Sequence, residues 1–209
     1  MDQTDARISA IREIGPADIA VNIDTPDGFD ARPGQFVKLT GAGESRFYTI
    51  SSPDVDGTFE VTIEVDPEGT LGPWLAEREP GDTVGVTGPF GNSYYEDEPR
   101  VVVLAGGPGV GPAVGIAERA LADGHAAAVV YLDDSPVHED RLAALSTAGA
   151  DVFVLAEEAA ITDAVREAIT GEDGEQVFVY GFADFLDLAT TAIDAVGGDS
   201  AGAKVENFG

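Results

Sequence analysis

The hydrophobic pattern of this chain changes its period once, near residue 99, and this change limits the possible folds. Up to Glu98, short runs of alternating apolar and polar residues are separated by Gly, Pro and Asp, as in "GQFVKLT" and "TFEVTIEV". From Pro99 onward, strand-like runs such as "RVVVLAGG" alternate with helical runs such as "GPAVGIAERALADG". The first pattern predicts a small antiparallel β-barrel, and the second predicts a doubly wound parallel sheet. We therefore expect two domains, residues 1–98 and 99–209.

Local signals add detail to both halves. A break at Gly15-Pro16 divides "ARISAIREIGPADIAVNIDT" into the two strands of a hairpin. In "LGPWLAERE" the apolar residues Leu71, Trp74 and Leu75 share one helical face, which predicts a short helix inside the first half. The second half contains four strand and helix pairs and a last strand in "AKVENF".

The charge of the chain is extreme. Its 39 acidic residues outnumber its 11 lysines and arginines and give a net charge of −28, which excludes a general affinity for nucleic acid or anionic membrane. The acids are spread along the whole chain. Because molar salt shortens the screening length to about 3 Å, this composition favours a protein of a salt-accumulating halophile. An acidic docking surface for a basic partner is the alternative.

The chain contains no cysteine, so disulfides, thiolate zinc sites and cysteine-held iron–sulfur clusters are excluded. His125 and His138 lie 13 residues apart without a ligand pattern, and we expect no metal. No apolar run is long enough to span a bilayer. The first residues lack the apolar core of a signal peptide. We expect a cytoplasmic protein without membrane insertion.

A glycine-rich loop follows the first strand of the second half. "LAGGPGVGPAVG" places Gly106, Gly107, Gly109 and Gly111 between a strand and a helix, and Pro112 fits the first turn of that helix. A helix N-terminus after such a loop offers free N–H groups to a dinucleotide pyrophosphate. The alternative is a tight strand-to-helix turn that binds no ligand.

The second strand of this half ends in Tyr131-Leu132-Asp133-Asp134. In doubly wound folds an acid at this place accepts hydrogen bonds from the adenine-side ribose. The Asp133 carboxylate would also repel a 2′-phosphate, which favours NADH over NADPH. Against this, acids are so common in the chain that any loop could hold one.

In the first half, "RFYTISSP" combines an arginine that can clamp a phosphate, an aromatic ring and a hydroxyl. Arg46 and Tyr48 share one face of the predicted strand, and Thr49 points the other way unless the strand ends or bulges there. Taken alone, this segment favours an ordinary edge strand.

Several motifs in this order resemble the ferredoxin–NADP reductase superfamily, and the resemblance covers essentially the whole chain. That family joins a flavin-binding β-barrel to a nucleotide-binding α/β domain. The matching segments are Pro33-Gly34-Gln35, Arg46-x-Tyr48-Thr49, Gly69–Gly72, Gly88-Pro89-x-Gly91 and Gly106-Gly107-x-Gly109-x-x-Pro112. In the third of these the family's serine is missing, and Thr70 is the candidate substitute.

The resemblance implies roles for individual residues. Arg46 would bind the FAD pyrophosphate, Tyr48 would pack on the isoalloxazine, and Thr49 would approach flavin N5. Near the end of the chain, Glu206 would relay a proton and Phe208 would cover the ring. The alternative for this segment is a last strand followed by a frayed tail. The implied catalytic residues are Thr49, Tyr180 and Glu206. The implied cofactor-binding residues are Arg46, Phe47, Tyr48, Thr49, Gly69, Thr70, Leu71, Gly72, Gly106, Gly107, Gly109, Val110, Pro112, Asp133, Gly181 and Phe208.

Three departures from the family pattern matter. The family usually has Cys-Gly-Pro after the fourth strand, where this chain has Tyr180-Gly181-Phe182, so we expect a remodelled hydride site. The arginine that many relatives place on the 2′-phosphate is absent after the second strand, in line with NADH. Without cysteines the chain cannot carry a plant-type iron–sulfur domain, so the electron acceptor is a separate molecule.

The resemblance implies an FAD-dependent oxidoreductase that passes a hydride from NAD(P)H, with NADH favoured, to flavin N5. Electrons would then pass to ferredoxin or another small acceptor. FAD is preferred to FMN because the Gly69–Gly72 turn is largely kept. Two alternatives remain: a reductase of free flavin or quinone, and a flavoprotein electron-transfer subunit or redox sensor with little turnover. The resemblance leaves the acceptor and the number of subunits open.

Overall fold

The computed structural model describes residues 2–209, and its first half forms one six-stranded antiparallel sheet in the order β4-β3-β6-β1-β2-β5. A bridge between Ile50 and Val61 brings the two edges of this sheet together, as in a barrel. The strands are β1 (Thr4–Glu13), β2 (Asp18–Asp24), β3 (Phe36–Gly41), β4 (Glu44–Thr49), β5 (Thr58–Glu64) and β6 (Thr83–Phe90), with helix α1 (Leu71–Ala76) between β5 and β6.

The barrel is filled by apolar side chains from alternate strand positions, as the period of 2 requires. Ile8, Leu39 and Phe59 are completely buried in this core. Leu71 and Leu75 of α1 are buried against the same core. The short helix therefore caps the barrel and holds the turn before it in place.

The second half forms a five-stranded parallel sheet in the order β11-β10-β7-β8-β9. Helices α2 and α3 cover one face, and helices α4 and α5 cover the other, so each face has its own apolar core. The strands are β7 (Arg100–Gly106), β8 (Ala126–Leu132), β9 (Asp151–Leu155), β10 (Glu175–Gly181) and β11 (Lys204–Asn207), and the helices are α2 (Val110–Ala122), α3 (Glu139–Thr147), α4 (Ile161–Ala168) and α5 (Ala183–Ala195). The predicted barrel followed by a doubly wound sheet is confirmed.

Residues 91–99 join the two sheets, and the predicted domain division at residue 98 lies in this segment. Within residues 2–209, no helix has the length and apolar character needed to cross a membrane.

Helix α2 packs directly on the barrel through glycines. A Cβ atom at Gly111 would lie 2.7 Å from the hydroxyl oxygens of Ser51 and Thr62. A Cβ atom at Gly115 would lie 2.7 Å from the backbone carbonyl oxygen of Ser51. Both distances are shorter than real contacts, so only glycine lets the helix approach the barrel this closely.

A buried polar network lies beside this contact. The hydroxyl of Thr62 is 2.8 Å from Nε2 of His138 and 2.8 Å from the hydroxyl of Ser51. Arg141 donates to the carbonyl of Ser51 (2.7 Å) and to Glu60 (3.0 Å) across the domain boundary. Burial, with a smaller effect of Arg141, lowers the pKa of His138 to about 3, so this histidine is neutral.

Candidate functional site

A cleft of about 420 Å³ opens between the two domains. The barrel contributes β4, β5 and the turn before α1. The parallel-sheet domain contributes two prolines of the glycine-rich loop and two aromatic rings. The lining residues are Arg46, Phe47, Tyr48, Thr49, Thr62, Ile63, Glu64, Asp66, Gly69, Thr70, Leu71, Gly72, Pro108, Pro112, Phe182 and Phe208.

The β4 residues lie together on one wall of this cleft. The side chain of Arg46 is 59% exposed and lines the cleft, where its guanidinium forms an ion pair with Glu44 at 3.3 Å. Burial raises the pKa of Tyr48 to about 12, and the nearby Arg46 opposes this shift, so the phenol is neutral at ordinary pH. The strand ends at Thr49, which is buried and still lines the cleft. The end of the strand removes the conflict that strict alternation predicted for Thr49.

The Gly69–Gly72 turn forms a second part of the same cleft. The N–H of Gly69 donates to the carbonyl of Asp66 at 3.0 Å, which closes the turn. Helix α1 begins at Leu71, and the side chain of Thr70 makes no capping hydrogen bond. The N–H groups of Leu71 and Gly72 therefore have no partner within the helix. Backbone donors on one wall and the Arg46 cation on another are a donor set that fits a pyrophosphate.

The glycine-rich loop is built partly for packing. Gly107–Gly109 form one 3₁₀ turn before α2, and Pro108 and Pro112 reach the cleft. A Cβ atom at Gly106 would collide with the ring of Phe185, and one at Gly109 would collide with the carbonyl of Tyr180. Gly107 has a φ of +53° and open space around it. Protein contacts thus explain Gly106, Gly109 and also Gly111, and only Gly107 faces open space.

Asp133 lies outside the cleft lining, just after β8. Its carboxylate accepts hydrogen bonds from the Tyr131 hydroxyl at 3.1 Å and from the Ser135 N–H at 2.8 Å. Asp133 also helps to raise the pKa of Asp18 to about 6, after the larger effects of burial and of Glu64. The surface where β8 meets the barrel is therefore strongly negative.

The structure does not bring Tyr180 into the cleft. The tyrosine is completely buried, its ring stacks on Phe178, and its hydroxyl donates to the carbonyl of Ser93. Burial, and then the charge of Glu206, raise its pKa well above the ordinary value. The predicted catalytic role needed direct access to the cofactor, and the buried side chain has none in this arrangement. Gly181 is likewise buried and does not line the cleft.

The end of the chain folds back along β10. Glu206 is paired with Tyr180 in the register of β10 and β11, and its half-buried carboxyl has a pKa raised by burial. Phe208 is fixed by a hydrogen bond of 3.0 Å from its N–H to the carbonyl of Gly181. Its ring meets that of Phe182 edge to face at 6.0 Å, and both rings line the cleft.

Sequence reasoning missed several lining residues. Phe182 stands where the resembled family usually has a proline, and an aromatic residue directly after a strand end is the sequence signal that points to it. Thr62, Ile63 and Glu64 lie on β5, where the alternating pattern indicates core packing. No local feature of the sequence showed that this strand forms a wall of the cleft.

Comparison with known proteins identifies relatives of the barrel sequence and of the whole fold. Residues 15–95 match the family model described as the oxidoreductase FAD-binding domain. A probable dihydroorotate dehydrogenase B (NAD(+)) electron transfer subunit of Methanopyrus kandleri is 41% identical over 90 residues, which is 42% of this chain and 32% of the relative. The toluate 1,2-dioxygenase electron transfer component of Pseudomonas putida is 30% identical over 152 residues, which is 68% of this chain and 45% of the relative.

Among solved structures, the ferredoxin reductase in carbazole 1,9a-dioxygenase superposes with a TM-score of 0.79 at 21% identity, covering 100% of this chain and 68% of that one. The chain spans about a third to a half of the length of these two curated relatives. The predicted resemblance to ferredoxin reductase-type oxidoreductases is confirmed for the fold and for the sequence family of the barrel. The comparisons also support FAD and NAD(P)H as the cofactors.

Proposed function

We propose that this chain is an FAD-dependent NAD(P)H oxidoreductase. Its fold is that of ferredoxin reductase-type oxidoreductases. One observation carries the proposal. Arg46, Tyr48 and Thr49 of the FAD-binding domain face Pro108, Pro112, Phe182 and Phe208 of the nucleotide-binding domain across a single cleft. A flavin held on one wall and a dinucleotide held on the other would meet there, as hydride transfer requires.

The flavin, when bound, supplies an acceptor for the hydride and a store for its two electrons. The Arg46 guanidinium and the backbone N–H groups of the Gly69–Gly72 turn would hold its pyrophosphate. Neutral Tyr48 would pack against the ring system, and the Thr49 hydroxyl would hydrogen-bond at its reacting edge. FAD is favoured over FMN because the Gly69–Gly72 turn, the proposed second phosphate contact, lines the same cleft as Arg46.

The remaining groups would control water and protons. The rings of Phe182 and Phe208 cover one side of the cleft, where they would exclude water until the nicotinamide takes their place. Glu206 has a carboxyl whose raised pKa suits it to hold a proton. Since Tyr180 is buried behind this group, we assign to it a positioning role and not a contact with the reacting atoms.

The nucleotide would bind at the carboxyl ends of β7 and β8, with its pyrophosphate at Gly106–Val110 and the N-terminus of α2. NADH is favoured over NADPH because Asp133 and its acidic surroundings would repel a 2′-phosphate.

Electrons would leave to ferredoxin or another small carrier, because these 209 residues contain no cysteine with which to hold a cluster. The alternative of an electron-transfer subunit also fits, since two relatives are described as electron transfer components of larger systems. The charge of −28 supports a place in the cytoplasm of a salt-accumulating cell.

The test is to purify the protein in molar KCl, record its visible spectrum, and add NADH or NADPH without oxygen. We expect a bound flavin that NADH bleaches faster than NADPH. Faster bleaching by NADPH would contradict the role of Asp133 and leave the reductase intact. A bound flavin that neither nucleotide reduces would favour the electron-transfer subunit or sensor. Absence of flavin after reconstitution with FAD would overturn the proposed function.

A further inference from the structure

The last strand of the chain is held only weakly by its own packing. β11 has four residues, lies at an edge of the parallel sheet and is paired on one side, with β10. None of its side chains is buried, and Val205 is 41% exposed. Chain ends of this kind are poorly ordered unless other contacts tie them down. This strand nevertheless leads directly to Phe208, whose ring lines the cleft.

Lys204, the first residue of β11, makes such contacts with residues 91–99, which we call the interdomain segment. A lysine ammonium has three hydrogen-bond donors. All three have acceptors in the interdomain segment: the carbonyl of Tyr94 at 2.7 Å, Glu96 at 2.9 Å and Glu98 at 2.6 Å. The ammonium also lies 5.8 Å from the centre of the Tyr94 ring, a cation–π contact. The side chain is 18% exposed, so solvent screens these contacts less than those of an ordinary surface ion pair.

The interdomain segment is itself fixed by both domains. The N–H of Tyr95 donates to the carbonyl of Pro33 in the barrel at 3.0 Å. The side chain of Tyr95 is buried in the core of the parallel-sheet domain. The hydroxyl of Ser93 donates to the carbonyl of Val205 at 2.8 Å, which is a second bond from the segment to β11. The lysine therefore ties the last strand to a rigid part of the molecule.

The two acids of this contact are arranged around the lysine. The N–H of Glu96 donates to one carboxylate oxygen of Glu98 at 2.7 Å, and the other oxygen of Glu98 accepts from Lys204. Asp97, between the two glutamates, has a φ of +64°, a left-handed conformation that Asp adopts more readily than most residues. This turn brings both carboxylates to one ammonium. Without the lysine, the two carboxylates would repel each other.

The two ends of β11 have different neighbours. Lys204 is attached to the interdomain segment, and Phe208 follows the last residue of the strand. The N–H of Phe208 donates to the carbonyl of Gly181 at 3.0 Å, and its ring meets that of Phe182 in the cleft. Four residues of strand span about 13 Å. Lys204 therefore acts on the cleft only through the strand.

We propose that Lys204 is a positioning residue of the cofactor cleft: by fixing β11 to the interdomain segment, it holds the ring of Phe208 in place and sets how readily a nicotinamide enters. The inference rests on the proposed function and adds a residue that controls access to its site. Without the ammonium, β11 would open locally more often, and the ring would leave the cleft at a lower free-energy cost. The ring would then compete less with the nicotinamide, whereas the rate of the hydride step would be nearly unchanged.

The experiment compares the two lysines of the chain. Lys204→Met keeps most of the aliphatic side chain and removes the ammonium, and Lys204→Arg restores the positive charge. Lys38→Met is the matched control. Lys38 lies on the outer face of β3, because Val37 and Leu39 are buried in the barrel. Within residues 2–209 it has no ion-pair partner.

Two quantities are measured on the FAD-loaded proteins in molar KCl. Amide hydrogen exchange, followed by mass spectrometry, reports the local opening of the peptide that covers residues 203–209. Anaerobic stopped-flow reduction at several NADH concentrations gives the Kd of NADH and the limiting rate of flavin reduction. The visible spectrum gives the flavin content of each variant.

We expect Lys204→Met to raise the exchange rate at the chain end at least about tenfold and to leave the barrel peptides unchanged. The Kd of NADH should fall about threefold, because less binding energy is lost in displacing the ring. The limiting rate of flavin reduction should change less than about twofold. Lys38→Met should match the wild type in all three quantities, and Lys204→Arg should lie closer to the wild type than Lys204→Met does.

Unchanged exchange at the chain end of Lys204→Met, in a protein whose flavin NADH reduces, would overturn the inference and leave the proposed function standing. Faster exchange spread equally over the barrel peptides would also overturn it, because the lysine would then support stability in general. So would a Kd of NADH that does not fall while the chain end exchanges faster, or a Kd that falls equally in Lys38→Met. A wild-type protein that holds no flavin would sink the inference together with the proposed function.

Discussion

The hydroxyl of Tyr180, on the parallel sheet, donates a hydrogen bond to the backbone carbonyl of Ser93, in the segment that leaves the barrel. The same hydroxyl packs against Gly34, where an added Cβ would collide with it. Tyr180 therefore joins β10 to two loops of the FAD-binding domain. In the related family this position carries a cysteine, so the larger side chain provides an interdomain contact that a cysteine would be too short to make.

We expect Tyr180→Phe to lower the free energy of unfolding by about 1–2 kcal/mol, because it leaves the Ser93 carbonyl without its partner. The rate of flavin reduction by NADH should change less than about twofold, since the side chain does not line the cleft. Chemical denaturation and anaerobic stopped-flow spectroscopy measure the two quantities. A large fall in the reduction rate at unchanged stability would instead support the catalytic role predicted from the sequence.

Replacing Arg46 should weaken the binding of FAD. Removal of a charge-assisted phosphate contact costs about 2–3 kcal/mol, so Arg46→Ala should lower FAD affinity about 30- to 160-fold. Arg166→Ala is a suitable control, because Arg166 forms only an exposed ion pair with Asp163 on α4. Fluorescence titration of the apoprotein with FAD gives the affinities. Equal affinities for the two variants would exclude Arg46 from the pyrophosphate site.

The nucleotide preference should depend on Asp133. Asp133→Asn removes a negative charge near the expected 2′-phosphate, and we expect the NADPH-to-NADH ratio of kcat/KM to rise about tenfold. Asp134→Asn changes the adjacent acid and serves as the control. If both variants raise the ratio equally, the effect comes from general charge and not from a specific position.

Gly115 allows a direct test of the contact between α2 and the barrel. Alanine is favoured over glycine inside a helix by up to about 1 kcal/mol. Here its Cβ would lie 2.7 Å from the Ser51 carbonyl oxygen, and a backbone atom cannot rotate away. Overpacking of this kind costs about 1–3 kcal/mol, so Gly115→Ala should be net destabilising. Thermal unfolding measures the difference, and a stabilised variant would show that the two domains separate easily.

His138 should make stability depend on pH. The pKa of His138 is about 3 in the folded protein, against an ordinary value of 6.5. Between these two pH values the unfolded chain binds a proton at this residue and the folded protein does not. The contribution of neutral His138 to the free energy of unfolding is fully present above about pH 6.5 and is lost as the pH falls toward 3. Between pH 7 and pH 5 the loss is about 2 kcal/mol.

Asp18 acts in the opposite direction over the same range, because its raised pKa of about 6 favours the folded protein when the carboxyl is protonated. Its partial exposure reduces this effect. The His138 contribution is therefore measured as the difference between the wild type and His138→Gln at each pH. If that difference is the same at pH 7 and pH 5, His138 is not the neutral buried group described.

Much of the fold could be predicted because the two domains have different hydrophobic periods in the sequence. In β7 and β8, alternate residues pack on α2 or on α4 and α5, so both strands have an unbroken apolar run after the first residue. The group of Arg46, Tyr48 and Thr49 was also predictable, because a strand end and a scarce cation can be recognised locally.

Long-range contacts could not be predicted in the same way. The direction of Tyr180 depends on a segment 87 residues away, and the partner of His138 is 76 residues away. Gly106, Gly109 and Gly111 were expected to bind phosphate, but each packs closely against protein atoms. The sequence shows only that a side chain is missing, and it does not show whether a ligand or another part of the protein fills that space. Phe182 lines the cleft next to Phe208, because the end of the chain folds back and brings the two rings into edge-to-face contact.

The glycine contact between α2 and the barrel has a consequence for how this molecule could be divided or recombined. One side of α2 buries Ser51 and Thr62 of the barrel, and an isolated barrel would expose both together with Glu60. Neither half is then a self-sufficient module, although each has its own core. Chimaeras with proteins of the same fold should exchange both halves together, because the contact between the halves is as specific as the interior of either one.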